Sequence, residues 1–455
     1  MVSNNKSASF SLQYGYDVAI FDQAPGLMQR ASSNGENRIH LGTEYSKDST
    51  METGEKMLKG ALRFSSYIEY LLGERIDWAE LESRKHLYLV PHDSLLKADE
   101  VDAYFSKLDQ MYQQMITEDP SLSYIGKRPE TLYRRVPVPT YVKTSHFEGA
   151  FETEEHSISF GPLRETLRRK LGEESVDVLV NTRVHEVVRN NVDSSTREWN
   201  DGMKPKKFTI LTSNGSHNVD LVVNCLWEGR YGIDKKLGWS QWSGNNLRLK
   251  FGISTSPIKE LDDFPSVSIV NGPFGDFANY PGEGRMYFSW YNISRSGMVY
   301  SQDLEIPSAW QALVNGLIPA EIESYQLQEQ EAKFNELFLP DVPFRFERPK
   351  LTANFILGDG ELDVDKMESG LHKRIGHPIR YEDGYWSIST QKFTTAPYNA
   401  YLLEKEFLKP ELSLDSNVEA GMGMDMKNSE ECSSPSGQRT YAEVAKNGCD
   451  MLTSK

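Results

Sequence analysis

The chain has 455 residues, of which 38% are hydrophobic and 25% are charged, a composition typical of a globular protein with a large core. Its formal net charge of −16 makes nucleic acid and anionic membrane surfaces unfavourable partners. The three cysteines, Cys225, Cys432 and Cys449, are too widely spaced for a disulfide framework or a metal site. No apolar run is long enough to span a bilayer.

The first residues predict part of a nucleotide-binding unit. Residues 16–21 form a short apolar run, and Asp22 follows it directly. A strand that ends in an acid is how nucleotide-binding α/β folds hold an adenosine ribose. Such folds normally open with a strand, a Gly-x-Gly-x-x-Gly turn and a helix, but Gly15 is the sole glycine before Tyr16. We therefore expect the first strand and the glycine-rich loop to be missing from the chain as given.

Hydrophobic periodicity predicts five main helices and a larger set of strands. In the second helix the apolar residues form a one-sided stripe, which we interpret as core. The predicted helices are 55–72, 98–116, 161–171, 321–338 and 395–408, and the predicted strands are 176–180, 208–212, 219–226, 247–253, 266–270, 285–291, 351–357 and 385–389.

Residues 208–212 and 219–223 are joined by a polar loop that contains a glycine, a pattern typical of a hairpin. The run 219–225 is also apolar enough to enter a buried parallel sheet, so both arrangements stay open.

Helices and strands alternate near both ends of the chain, and aromatic-rich strands cluster in the middle. This order predicts an α/β (α+β) fold in which a discontinuous Rossmann-like domain carries an inserted antiparallel β-sheet domain. The nucleotide domain is predicted to comprise residues 1–75, 145–235 and 345–409, and the substrate domain residues 76–144 and 236–344. From residue 410 the composition changes to small and polar residues, which predicts a disordered tail over 410–455.

The residues that follow Asp22 resemble a known flavin-facing segment. Ser33, Asn34, Arg38, His40 and Gly42 are similar to the loop and helix that pass the flavin ring in the D-amino-acid-oxidase-like FAD oxidoreductases. That superfamily also contains glycerol-3-phosphate and 2-hydroxyglutarate dehydrogenases. The resemblance implies that these residues and Asp22 contact FAD, with the glycine allowing a close backbone approach.

His40 is the candidate catalytic residue that the resemblance implies. Near the flavin ring it would orient the substrate or move a proton. The alternative is that His40 is merely hydrogen-bonded inside a turn.

Two later segments extend the resemblance. The backbone near Val184 would pair with the adenine, although an ordinary strand with an exposed basic end has the same pattern. Residues 384–397 resemble the closing strand, turn and helix of the family, whose helix begins beneath the flavin. Thr394 and Thr395 would lie at that helix start, with Thr395 as its cap, and Lys392 would add positive charge.

The substrate side is less specific. Alternation along residues 285–291 places Arg285, Tyr287 and Tyr291 on one face. Many relatives hold a substrate carboxylate with an arginine and tyrosines, because a guanidinium binds a carboxylate through two hydrogen bonds. The same residue types are also common on strands that bind nothing.

The resemblance implies an FAD-dependent oxidoreductase that oxidises a C–N or C–OH bond of a small substrate by hydride transfer to flavin. The substrate class includes carboxylate-bearing molecules, and oxygen, a quinone and another protein are all open as electron acceptors. No metal site is expected, and a cytoplasmic location is the default expectation. The main alternative is a truncated or non-catalytic relative that keeps the fold as an interaction module. An NAD-dependent enzyme is a weaker alternative, because the matching segments resemble flavin contacts.

The composition of the tail predicts that it is dispensable. Deleting residues 413–455 should leave the melting temperature and any flavin content nearly unchanged, because a segment so poor in large apolar residues cannot offset its ordering entropy. Thermal unfolding of the deleted and full-length chains measures this. A large drop in either quantity would mean that the tail packs against the fold.

Overall fold

The structure is a computed structural model that describes residues 16–190, 206–239, 245–272, 274–301, 306–338, 342–359, 369–370, 373–374 and 376–408. The predicted tail and the start of the chain, where the glycine-rich loop is expected to be missing, lie outside these residues. The chain divides into two units, residues 1–401 and 402–455. In the second unit the structure describes one π-helical turn, Glu404–Leu408. Within the described ranges, no helix combines the length and apolar character needed to cross a membrane.

The five predicted helices are confirmed, with small shifts at their ends. The last one ends at Leu403, earlier than predicted. The α-helices are α1 (Ala31–Asn34), α2 (Glu52–Leu72), α3 (Trp78–Leu81), α4 (Ala98–Glu118), α5 (Phe160–Glu173), α6 (Arg230–Lys236), α7 (Tyr291–Ser294), α8 (Ser308–Val314), α9 (Ala320–Leu337) and α10 (Ala396–Leu403).

Each predicted strand has a counterpart among the nineteen strands that the structure describes. They are β1 (Val18–Phe21), β2 (Arg38–Ile39), β3 (His86–Pro91), β4 (Tyr133–Val136), β5 (Phe147–Thr153), β6 (His156–Ser157), β7 (Val176–Leu179), β8 (Val184–Arg189), β9 (Phe208–Thr212), β10 (Gly215–Val219), β11 (Val222–Asn224), β12 (Asn245–Ser256), β13 (Ser266–Ile269), β14 (Gly275–Tyr280), β15 (Arg285–Trp290), β16 (Arg295–Ser301), β17 (Glu347–Asp359), β18 (Ile379–Glu382) and β19 (Tyr385–Ile388).

Two parallel strand pairs lie in the ranges predicted for the nucleotide domain. Strand β1 pairs with β7, and β11 pairs with β19, both in parallel. A hairpin forms, but its second strand is β10, most of which was predicted to be the connecting loop. Strands β9 and β10 pair antiparallel, and β11 pairs in parallel with β19 in a three-stranded sheet whose third strand, β18, runs antiparallel to β19.

A nine-stranded sheet dominates the rest of the chain, in the order β16-β12-β15-β14-β13-β3-β5-β4, with β17 also paired to β12. Its pairs are antiparallel except for β3 and β13, which run in parallel. Strands β5 and β17 belong to this sheet, although both lie in ranges predicted for the nucleotide domain.

Strand β3 lies at the centre of the packing, because all six of its residues are buried. Alternation sends Leu87 and Leu89 into one core, which contains Phe334 of α9. Tyr88 and Val90 enter a second core with α2 and α4. The apolar stripe of α4 lines this second core, as predicted. The sheet therefore has a helical layer on each face.

Arg38 is the centre of a buried ion-pair cluster. Its guanidinium contacts Glu36 Oε1 at 2.6 Å and Asp276 Oδ1 at 2.8 Å, donates to Glu44, and lies 3.9 Å from Glu155 Oε2. The Arg38 side chain is 1% exposed. Since Asp276 belongs to β14, the cluster fixes β2 to the large sheet.

Gly42 lets the chain turn closely against α2. It has a φ of 113°, and a Cβ there would lie 3.0 Å from the Cα and carbonyl oxygen of Gly54. Its own carbonyl accepts a hydrogen bond from the Tyr104 hydroxyl at 3.2 Å. A side chain at this position would therefore strain both the backbone and the contact with α2.

Replacing Arg38 with Met should lower the free energy of unfolding by about 3–5 kcal/mol at pH 8, because buried carboxylates lose their counter-charge. Burial raises the pKa of both Glu36 and Glu155 to about 7, although the charge of Arg38 opposes this. A carboxyl whose pKa is higher in the folded than in the unfolded state contributes stability at pH values below its unfolded pKa. This contribution is lost as the pH rises from about 4.5 through 7. Without Arg38 the two carboxyls hold protons more firmly, so the deficit should shrink at pH 5.5.

Urea unfolding at pH 5.5 and pH 8 measures this deficit. The control is Arg134→Met, whose exposed ion pair with Glu152 should contribute less than about 1 kcal/mol at either pH. An Arg38→Met deficit of equal size at the two pH values would contradict the electrostatic explanation.

Gly42→Ala should destabilise the protein by about 1–3 kcal/mol, because alanine disfavours the positive φ. The matched control is Gly172→Ala within α5, where an added Cβ meets nothing within 4 Å. That change should be neutral or stabilising by up to about 1 kcal/mol, since alanine favours a helix. Chemical denaturation of both variants compares them, and equal effects would exclude the backbone explanation.

Candidate active site

Thr394 joins the two segments that the resemblance assigns to the flavin. Its hydroxyl oxygen accepts a hydrogen bond from the backbone N–H of His40 at 2.8 Å, across a sequence separation of 354 residues. The same hydroxyl donates to the carbonyl of Arg38 at 3.1 Å. Thr394 is fully buried. The structure therefore brings together the N-terminal and C-terminal segments, which are far apart in the sequence.

The side chains of His40, Tyr45 and Lys392 lie close together beside Thr394. The rings of His40 and Tyr45 meet edge-on with centroids 5.8 Å apart, and the Lys392 ammonium lies 5.8 Å from the Tyr45 ring centre. His40 Nδ1 and the Tyr45 hydroxyl are buried without a hydrogen-bond partner among the described residues. Glu44 Oε2 lies 3.5 Å from His40 Nδ1, too far for a good hydrogen bond. Buried polar atoms of this kind are suited to meet a bound molecule.

Burial and neighbouring charges shift the pKa values of both His40 and Lys392. Burial lowers the pKa of His40 well below its ordinary value, and the charges of Lys392 and Arg38 act in the same direction. Burial also lowers the pKa of Lys392 to about 8, with further lowering from Arg374 and Lys250. At pH 7 the imidazole is therefore neutral, while most of Lys392 carries its positive charge.

The start of α10 differs in detail from the prediction. A 3-10 turn, Phe393–Thr395, precedes the helix, which begins at Ala396. The Thr395 hydroxyl donates to the carbonyl of Lys392 at 3.0 Å. Thr395 therefore stabilises the turn that carries Lys392, and Pro397 lies in the first turn of the helix.

The predicted nucleotide residues Asp22 and Val184 lie close together. Asp22 directly follows β1, and its Oδ1 accepts a hydrogen bond from the N–H of Ala24 at 2.8 Å. The Asp22 carbonyl accepts from the N–H of Thr182 at 2.9 Å. Val184 begins β8 two residues later. The contact of either residue with a nucleotide stays a prediction.

Ser33 and Asn34, at the end of α1, contact two other parts of the fold. Arg164 of α5 donates to the Ser33 hydroxyl at 2.8 Å. The Asn34 carbonyl accepts from the Asn354 amide at 2.7 Å and from the Thr352 hydroxyl at 3.2 Å. Segment 31–34 is therefore attached to the polar side of β17.

Arg38 and Gly42 have structural contacts that the sequence did not reveal. The Arg38 guanidinium is enclosed by carboxylates, and the open side of Gly42 faces α2. Any contact of these residues with a cofactor would therefore involve the backbone or an indirect effect, and their assignment to the cofactor stays a prediction.

The three predicted substrate residues have different surroundings. Arg285 pairs with Glu283 at 2.8 Å and lies 4.0 Å from the ring centre of Tyr280. Tyr287 is buried and covers Gly252, where a Cβ would lie 2.3 Å from the Tyr287 hydroxyl. Tyr291 lies just beyond β15, at the start of α7, and accepts a hydrogen bond from Arg248 at 2.9 Å.

The sequence analysis missed Glu44, Tyr45, Arg248 and Lys250. Glu44 and Tyr45 lie just after residues 33–42, which resemble the flavin-facing segment, but nothing in the sequence pattern marked them as site residues. A signal did exist for Arg248 and Lys250, because charged residues alternate there with large apolar ones in a buried strand. Within the described ranges no group of three or more potential metal ligands occurs.

The amino-acid sequence matches no protein-family profile and no curated protein.

Comparison of the fold with solved structures gives matches over most of the chain. Glycine oxidase from Geobacillus kaustophilus is 13% identical with a TM-score of 0.53, covering 87% of this chain and 90% of that one. L-α-glycerophosphate oxidase from Mycoplasma pneumoniae, solved with FAD bound, is 12% identical with a TM-score of 0.53, covering 86% and 88%. L-amino acid deaminase from Proteus myxofaciens, solved with anthranilate, is 12% identical with a TM-score of 0.51, covering 85% and 83%. The chain therefore has the fold of these proteins, and the predicted fold class is confirmed.

Proposed function

We propose that this protein binds FAD and is an FAD-dependent oxidoreductase that oxidises a C–N or C–OH bond of a small substrate. The observation that carries the proposal is the meeting of the segments around His40 and Lys392, joined by Thr394. The fold supports it, because one solved protein with the same fold contains FAD.

The unpartnered atoms at this place fit a cofactor. His40 Nδ1 and the Tyr45 hydroxyl are buried polar groups that a ligand would satisfy. Lys392 supplies a positive charge beside them, which suits a group that gains negative charge during a reaction. The residues proposed to hold FAD are Asp22, Ser33, Asn34, Arg38, Gly42, Val184, Lys392, Thr394 and Thr395.

Each part of the site has a separate task. Asp22 holds the ribose hydroxyls, and the backbone at Val184 pairs with the adenine. FAD, when bound, supplies the acceptor for the hydride that leaves the substrate carbon. His40 is neutral at pH 7, so its ring can accept a hydrogen bond from the amine or hydroxyl of the substrate and orient that group. Lys392 is held in position by the turn that Thr395 stabilises.

The proposal predicts that the purified full-length chain takes up FAD. After addition of FAD and removal of the excess, the protein should keep visible absorption that a reductant bleaches. A colourless protein after this treatment would favour the alternative, a truncated or non-catalytic relative that keeps the fold as an interaction module.

Asp22→Ala should weaken FAD binding by about 1–3 kcal/mol, the cost of losing hydrogen bonds to a charged acceptor. The matched control is Asp17→Ala, because Asp17 is an exposed acid just before the same strand. Titration of both variants with FAD measures the difference. Equal affinities for the two variants would count against the ribose assignment.

A further inference from the structure

Two loops that follow strands of the parallel pairs meet at a largely buried ion pair. Arg30 lies in the loop that follows β1 and Asp22, and Glu228 belongs to a 3-10 turn, Trp227–Gly229, that follows β11. Arg30 Nη1 lies 2.9 Å from Glu228 Oε1, and the two side chains are 19% and 10% exposed. In open α/β folds, ligands bind in the crevice beyond the carboxyl ends of the parallel strands. The ion pair therefore lies where such a fold is expected to hold a ligand.

Asp22 is a neighbour of this ion pair. Burial raises the pKa of Glu228, Arg30 opposes the rise, and the negative charge of Asp22 adds to it. Charges influence each other in this way only over short distances, because salt screens those that lie further apart. The carboxylate that is proposed to hold the ribose and the ion pair therefore lie within one site, which contains two acids and one base.

Two donors beside the ion pair are buried without a partner. Arg30 Nε and the indole Nε1 of Trp227 have no hydrogen-bond partner among the described residues. Arg30 Nη2 donates to Asn315 Oδ1 at 3.3 Å. Buried donors without a partner are rare in proteins, because each loses its hydrogen bonds to water without gaining others. Both atoms are thus available to a ligand that carries several acceptor oxygens.

The backbone at Trp227 has an unfavourable conformation. Its φ is 53°, a value that a bulky side chain rarely adopts. The turn that begins there brings the next residue, Glu228, to Arg30. Strain of this kind persists only where surrounding contacts impose it, and it is frequent at ligand sites and switches. Loss of the contact between Arg30 and Glu228 would remove one of the contacts that impose the strain.

We propose that Arg30 binds the phosphate groups of a nucleotide, and that Glu228 pairs with the same guanidinium when the nucleotide is absent. The Glu228 carboxylate is an intramolecular competitor, because carboxylate and phosphate oxygens accept the same charge-assisted hydrogen bonds. Binding exchanges one anion for another at Arg30, and the displaced carboxylate turns to water or takes up a proton from it. The identity of the nucleotide as FAD rests on the proposed function. The exchange itself rests on the ion pair and the two unpartnered donors.

A phosphate suits this site better than a carboxylate ligand does. The ribose that Asp22 is proposed to hold is linked to a phosphate in every nucleotide, so a phosphate would lie near Asp22. Arg30 is the cation that acts on Glu228 there, and it can offset the phosphate charge. The unpartnered donors come from two residues, which matches a group with several oxygens better than one with two.

Calorimetric titration of the full-length chain with ADP and with adenosine tests the exchange. The two probes share the adenine and the ribose, and only ADP has phosphates. Glu228→Gln removes the competing charge, so it should tighten ADP binding by at least about tenfold, the effect of one charge-assisted hydrogen bond, and leave adenosine binding unchanged.

The other half of the ion pair should respond in the opposite direction. Arg30→Gln should abolish the preference for ADP over adenosine, whereas Arg30→Lys should keep part of it, because a lysine also binds phosphate. The control is Glu152→Gln, which removes the acid of an exposed ion pair with Arg134 and should change neither affinity. Equal losses of ADP and adenosine binding in Arg30→Gln would overturn the phosphate assignment.

A purely structural ion pair predicts a different result. In that case Glu228→Gln does not tighten ADP binding, whatever its melting temperature, and the proposal fails. Glu228→Asp is a second variant that keeps the charge on a side chain too short to reach Arg30 equally well. It should give a smaller gain in ADP affinity than Glu228→Gln gives. If Glu228→Gln does not fold, the presence or absence of a gain in Glu228→Asp decides the question.

Titration of the same variants with FAD keeps the exchange distinct from the proposed function. If Glu228→Gln tightens ADP binding but neither this variant nor the unaltered chain retains FAD, the phosphate site stands and the proposed function fails. If the chain binds FAD with the same affinity before and after Glu228→Gln, the proposed function stands and the exchange at Arg30 fails. If neither ADP nor FAD binds to either form, both fail.

Discussion

The arrangement of this protein depends on one buried guanidinium. Arg38 contacts four carboxylates from three parts of the chain: Glu36 and Glu44 beside it in sequence, Glu155, and Asp276. A charge this deep is tolerated only where partners surround it, so the four acids must meet at one point. The cluster thereby fixes the position of residues 33–42, the segment that resembles a flavin-facing one, against the large sheet. The carbonyl of the same residue also holds Thr394, which sets the distance between the two ends of the site.

The same cluster separates two electrostatic environments. Around Arg38 the acids outnumber the bases, and burial raises the pKa of two of them, Glu36 and Glu155. Around Lys250 and Lys392 the bases dominate. Asp276 lies between the two regions, because it contacts both Arg38 and Lys250. Negative charge introduced on the basic side would thus be stabilised by residues whose positions are already fixed by ion pairs, which reduces the reorganisation that binding requires.

Much of the fold could be predicted from the sequence, because it depends on local periodicity. The stripe on α4 and the alternation in β12 and β15 are visible in any short window of residues. The partner of each strand is not visible in this way. Residues 219–225 were compatible with two arrangements, and only the three-dimensional pairing with β19 decides the position of β11. The ends of strands also depend on tertiary contacts. Tyr291 lies just beyond β15, where its hydroxyl accepts a hydrogen bond from Arg248.

The site was predictable where residues are contiguous and less so where side chains meet across the fold. Segment 33–42 and the turn at Thr394 could be identified separately. Their direct contact could not, because it spans 354 positions of sequence. The surroundings of Arg38 and Arg248 were similarly hidden, since a sequence shows that an arginine is present but not how many carboxylates surround it. For Arg38 there are four, and for Arg248 the described residues provide none within ion-pair distance.

The parallel pairing of β3 with β13 has a consequence for synthesis of the protein in the cell. His86 of β3 contacts Ser268 of β13 at 3.0 Å across a separation of 182 residues. Strand β3 is buried on both faces, so it cannot reach its final environment until the ribosome has produced β13. At typical elongation rates, roughly ten seconds or more pass between the synthesis of β3 and that of its partner β13. During that interval the nascent chain is exposed to misassociation, and chaperone binding at this strand would have its greatest effect then.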